Sequence, residues 1–210
     1  MKTHFLTGMG ADNRIWIKYK HEFPNAYYHN WIYEFPKNYN YAKYSDFLID
    51  KYKINDGDVV VGVSMGGIIG CEIFKKIKLA KLIQISSCNK LKQLNSLLSR
   101  MMPLMTIPNY NLINYLPKWI LKTDEMKLSH IMYKECDKDF LKWAIKELYK
   151  WDGFKRNEKC VSIHGDKDFI FPIKKQKPDY IIQNGTHLMA YSNANEIIRI
   201  IKRLYTDSYG

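Results

Sequence analysis

Val59-Val60-Val61-Gly62-Val63-Ser64-Met65-Gly66-Gly67 decides how this chain is read. The valines form a short apolar run of the kind a strand buried on both faces shows. Beyond the glycines the pattern changes: Ile69, Ile73 and Ile77 recur at i, i+4 and i+8, which predicts a helix through about residue 78. A strand passing straight into a helix through Gly62-x-Ser64-x-Gly66 predicts a sharp elbow with the serine at its tip, the setting of a nucleophilic serine. Such a turn forces the serine into strained, positive-φ geometry, and the residues two before and two after it must lack side chains. Gly62 and Gly66 meet that demand, and Gly67 adds to it.

Strands and helices alternate on both sides of the elbow. Further strands are predicted at 4–7, 26–33, 82–86, 160–163 and 180–182, with a short helical stretch within 11–22 and helices at 41–53 and 193–205. This alternation predicts an α/β fold, a doubly wound, mostly parallel sheet with helices on both faces. Residues 88–157 contain no strand signal; 91–102 and 138–150 read as helices, and Pro103, Pro108 and Pro117 interrupt the stretch between. The expected organisation is a core of residues 1–87 and 158–210 with a helical insertion at 88–157.

A serine hydroxyl needs a base to become a nucleophile. Six histidines are present, His4, His21, His29, His130, His164 and His187. His187 follows a predicted strand and precedes the last helix, so its loop lies at the carboxyl edge of the sheet, where Ser64 also sits. His164, at the end of an apolar run, reads as a structural histidine. A carboxylate to orient the base comes from His164-Gly165-Asp166-Lys167-Asp168, where Asp166 and Asp168 are both candidates. The stretch after the 82–86 strand, Ser86-Ser87-Cys88-Asn89, contains no acid.

With these motifs the chain resembles the α/β-hydrolase superfamily over nearly its whole length. The resemblance rests on Gly62-Val63-Ser64-Met65-Gly66-Gly67, Gly165-Asp166-Lys167-Asp168 with Pro172, Gly185-Thr186-His187, and the glycine loop Gly8-Met9-Gly10. It selects Asp168 over Asp166 and implies a catalytic triad of Ser64, Asp168 and His187. It implies an oxyanion hole from the amides of Met65 and Met9, although Thr7-Gly8 stands where the family has His-Gly. It makes 88–157 a helical cap or lid over the site and the whole a trimmed member lacking the family's first two strands. The implied activity is hydrolysis of a carboxylic ester or thioester of a small or acyl substrate through an acyl-enzyme, with neither metal nor organic cofactor. A C–C bond hydrolase or lyase using the same triad, and a non-catalytic binding protein of the same fold, are the alternatives.

Substrate contacts are expected from Trp16, Trp31, Met105 and Trp119, with Asp12, Met101, Met102 and Met132 as further candidates. The methionines suit variable apolar ligands but serve equally as the cap's own core.

The composition bounds the rest. A chain of 210 residues with 46% hydrophobic and 26% charged residues suits one globular domain. A formal charge of +12 raises nucleic acid as a partner, but 28 of the 33 basic residues are lysines and no run of five or six like charges occurs. A small-molecule partner, not nucleic acid, is therefore expected. Half of the charge falls in 88–157, and 88–123 holds Lys90, Lys92, Arg100, Lys118 and Lys122 without an acid. A basic rim there would attract an anionic substrate bearing carboxylate, phosphate or coenzyme A. Cys71, Cys88, Cys136 and Cys160 form no C-x-x-C pair, and neither a secretory signal nor a membrane span is read, so a cytoplasmic protein with reduced thiols is expected.

Overall fold

Six parallel strands form one sheet in the order β2-β1-β3-β4-β5-β6 in a computed structural model that describes residues 1–102 and 123–206. They are β1 (Thr3–Leu6), β2 (Tyr27–His29), β3 (Val59–Val63), β4 (Lys81–Ile85), β5 (Cys160–Gly165) and β6 (Tyr180–Ile182). Side chains alternate across each strand, and the register sorts them into two layers. Val60, Leu82 and Cys160 pair across β3, β4 and β5 and share one apolar cluster with α1 (Tyr41–Tyr52) and α2 (Met65–Phe74). Their neighbours Val61, Ile83 and Val161 face the other way, into a cluster with a 3-10 helix (Asn13–Tyr19) and the last helix. A sheet so covered is buried on both faces, which is why β3 reads as unbroken valine.

Between β4 and β5 lie α3 (Ser96–Met101), α4 (Asp124–Glu135) and α5 (Lys138–Lys150). The short α6 (Met189–Ser192) and α7 (Ala194–Thr206) follow β6. α5 spans the expected range, with Asp137 accepting the Phe140 amide at its N-terminus and Phe140, Leu141, Ala144, Ile145 and Leu148 buried. The stretch expected as one helix at 91–102 is a 3-10 turn (Leu91–Gln93) followed by α3, because Asn95 accepts the amides of Leu97 and Leu98 and starts a new helix. α4 falls where no helix is predicted: Met132 is its buried residue and Ile131 is exposed, so no apolar stripe marks it. α2 ends at Phe74, earlier than the isoleucine spacing suggests.

The chain leaves β1 for β2 on one side, then places β3 on the other side of β1. The carboxyl ends of β1 and β3 therefore flank a topological switch point, where open parallel sheets leave a crevice. The Gly8-Met9-Gly10 loop and Ser64 meet there. Among the described residues no helix is long and apolar enough to cross a membrane, and all four cysteines are buried free thiols.

Candidate active site

Ser64 sits between β3 and α2 with φ 51° and ψ −118°, the strained elbow expected of it. The turn is closed by backbone packing. A Cβ on Gly62 would lie 2.3 Å from the carbonyl of Gly66, and one on Gly66 would lie 2.5 Å from the carbonyl oxygens of Leu6 and Thr7. Two further bonds brace the strained residue: its amide donates to Ile85 O at 2.9 Å, and the Ser87 hydroxyl donates to its carbonyl at 2.7 Å.

His187 and Asp168 arrive on two loops stitched together at Gly165 and Gly185. A Cβ on Gly165 would lie 2.1 Å from Gly185 O, and the Lys167 amide donates to that same oxygen at 2.9 Å. The outcome is a continuous chain of polar contacts. His187 Nε2 lies 3.1 Å from Ser64 Oγ, and His187 Nδ1 lies 3.0 Å from Asp168 Oδ2. With the ring proton on Nδ1, the histidine donates to Asp168 and leaves Nε2 to accept from the serine. Asp166 does not take this place; its Oδ1 is buried without a hydrogen-bond partner among the described residues.

Asp168 is 3% exposed. Burial pushes its carboxyl up, but the facing His187 and the amide of Phe171 outweigh burial and hold it below the ordinary carboxylate value. Its Oδ1 accepts the amides of Ile170 and Phe171, both at 2.9 Å. His164 is fully buried nearby, with Nε2 2.7 Å from Phe171 O, and burial lowers its pKa. This is the structural histidine the sequence suggested.

No protein-family model and no curated protein sequence matches the chain. Solved structures do. MenH from S. aureus superposes with a TM-score of 0.75 at 16% identity, over 100% of this chain and 95% of its own. An esterase from Thermogutta terrifontis gives 0.73 at 13% identity, over 100% and 91%. The N-acyl homoserine lactonase AidH gives 0.75 at 12% identity, over 99% and 89%. The chain has the α/β-hydrolase fold.

Within this α/β-hydrolase fold Ser64 and His187 open into a cavity of about 380 Å³. Met9 and Met65 line it beside the serine, and α3, α4 and α5 supply much of the opposite wall. Met65 opens α2, so helix geometry leaves its amide without an intrahelical acceptor. Met102 and Met132 also line the cavity; Met101 is an exposed side chain outside the lining. Met105 and Trp119 lie outside the described residues.

Two expected substrate contacts are not in the lining. Trp16 is fully buried on the far face of the sheet, packed on Phe5 and Tyr19 at ring-centroid distances of 5.0 Å each. Trp31 is buried against Tyr44 and Phe140, and its indole N–H donates to Gly8 O at 2.9 Å. It braces the loop that carries Met9. Asp12 is likewise turned away, accepting from the amide and guanidinium of Arg14. The basic rim does not reach the cavity among the described residues: Lys90, Lys92 and Arg100 are exposed and outside its lining. Sequence reading missed Leu94 and Leu98, whose i, i+4 spacing was a usable signal, and the α4 wall, which carried none.

Proposed function

We propose that the protein is a serine hydrolase that cleaves a carboxylic ester or thioester of a small or acyl substrate by way of an acyl-enzyme on Ser64. The observation that carries this reading is the run of contacts from Ser64 Oγ to His187 at 3.1 Å and on to Asp168 at 3.0 Å, at the mouth of a mainly apolar cavity. In the first half-reaction Ser64 Oγ attacks the substrate carbonyl carbon while His187 Nε2 takes the hydroxyl proton. Asp168 keeps the ring oriented and stabilises the imidazolium. The amides of Met65 and Met9 stabilise the oxyanion; losing one such donor typically costs about a hundredfold in rate. Collapse of the tetrahedral intermediate passes the His187 proton to the departing alcohol or thiol. In the second half-reaction His187 takes a proton from water, which attacks the acyl-enzyme, and returns it to Ser64 as the acid leaves.

Residues 88–157 act in this reading as a cap whose helices α3, α4 and α5 enclose the acyl group. The test is turnover of p-nitrophenyl esters of graded chain length together with acyl thioesters. Wild-type protein turns over at least one series and Ser64→Ala none; equal rates in the two proteins would refute the assignment.

A further inference from the structure

The cavity wall is chemically two-sided. The contributions of α3 and α5, Leu98, Leu141, Ile145 and Leu148, are aliphatic without exception, as are those of the neighbouring Leu94 and Ile170. α4 differs: beside the apolar Leu128 and Met132 it presents Glu125, Ser129 and Tyr133, whose spacing of i, i+4 and i+8 puts these three on one face of the helix. Glu125 has no ion-pair partner among the described residues, and no described group hydrogen-bonds the Ser129 or Tyr133 hydroxyl. Two described cations near this face, Lys138 and Arg14, are engaged elsewhere. Lys138 sits over the Tyr133 ring at 4.2 Å and donates to the Tyr133 carbonyl, and Arg14 is held between Asp12 and Glu135. Among the described lining residues, Glu125 is the one Asp, Glu, Lys or Arg side chain.

We propose that the Glu125–Ser129–Tyr133 face of α4 selects the substrate, which has an apolar arm lying against α3 and α5 and a second arm that is cationic or rich in hydrogen-bond donors. A hydroxyl or ammonium group satisfies the three side chains. A carboxylate or phosphate meets the charge of Glu125 and loses its own hydration. This inference rests on the serine-hydrolase reading and reverses the anionic preference expected from the basic residues at 88–123.

The experiment measures kcat/KM for three hexanoyl esters of matched shape: choline, its neutral isostere 3,3-dimethylbutanol, and 4-hydroxybutanoate. The same three end groups are then placed at the acyl terminus of ethyl esters, which identifies the arm that faces α4. At one end or the other, the cationic ester is favoured over the anionic one by about tenfold or more, the size of one partly desolvated ion pair, since the trimethylammonium group has no N–H to donate. Glu125→Gln removes that ratio and Glu125→Lys inverts it. Ser129→Ala combined with Tyr133→Phe lowers the preference for a 2,3-dihydroxypropyl ester over a butyl ester by several-fold. Labelling of Ser64 by a fluorophosphonate establishes that each variant is folded. Equal or anionic preference at both ends, or a ratio unmoved in Glu125→Gln, would overturn the inference while Ser64-dependent turnover leaves the hydrolase reading standing. Absence of both turnover and labelling in the wild type would bring down the two together.

Discussion

Asp168 performs two tasks with one carboxylate, and His187 Nδ1 lies 3.2 Å from Oδ1 as well as 3.0 Å from Oδ2. Oδ1 accepts the amides of Ile170 and Phe171, and Oδ2 faces His187. The amides hold the acid rigid, and the acid in turn fixes the histidine. Asp168→Asn keeps an acceptor for the amides but no longer holds the ring in one tautomer, so kcat falls by roughly three to four powers of ten while KM and the circular dichroism spectrum change little. A smaller effect is expected at Trp31. Trp31→Phe deletes the bond to Gly8 O and loosens the Met9 loop; kcat in steady-state ester hydrolysis drops by about tenfold, with KM nearly constant. Neither role was legible in full from sequence. Asp166 and Asp168 share one turn, and only the approach of the Gly185 loop separates them. An aromatic residue near a site signals burial, not its partner, so Trp31 read as pocket lining when it is a brace.

At the scale of elements, the β3–α2 elbow was the most legible part because each of its constraints is local. Valine runs, a strained serine and side-chain-free neighbours are all written within nine residues. Gly62→Ala sets a methyl 2.3 Å from Gly66 backbone, which cannot move without shifting α2. We expect a loss of more than about 2 kcal/mol in denaturant unfolding, the scale of overpacking a rigid core. α4 was illegible for the opposite reason. Much of what it faces is an open cavity, so it lacks the apolar stripe that packing imposes. β1 and β2 carry a feature of a different kind. His4 Nδ1 lies 2.9 Å from His29 Nε2, and His4 Nε2 lies 3.4 Å from Asp58. Burial lowers both histidines, His29 to about 3, and the adjacent His4 charge adds to the fall. A depressed histidine leaves the unfolded chain holding more protons than the folded one below the ordinary histidine value of 6.5. Stability is therefore present above that pH and lost as pH falls from it toward the folded value. The melting temperature should decline from pH 7 to pH 5, and His29→Gln should flatten that slope.

For the whole molecule, the sheet order sets where chemistry can happen. Winding β1 toward β2 and then reversing to β3 opens the crevice that receives Ser64, while β5 and β6 deliver Asp168 and His187 on loops to the same edge. That convergence was readable from the alternation of strands and helices, since parallel strands send all their following loops to one side. The net charge of +12 was a poorer guide. It counts residues without placing them: Glu125 lines a mainly apolar cavity, and none of the described lysines of the insertion does. All of the proposed chemistry turns on Ser64 as nucleophile. Intact-mass spectrometry after treatment with a fluorophosphonate, followed by peptide mapping, tests it most directly. Wild-type protein should gain one adduct on Ser64, and Ser64→Ala none; an adduct mapped to another residue, or undiminished labelling of Ser64→Ala, would contradict it.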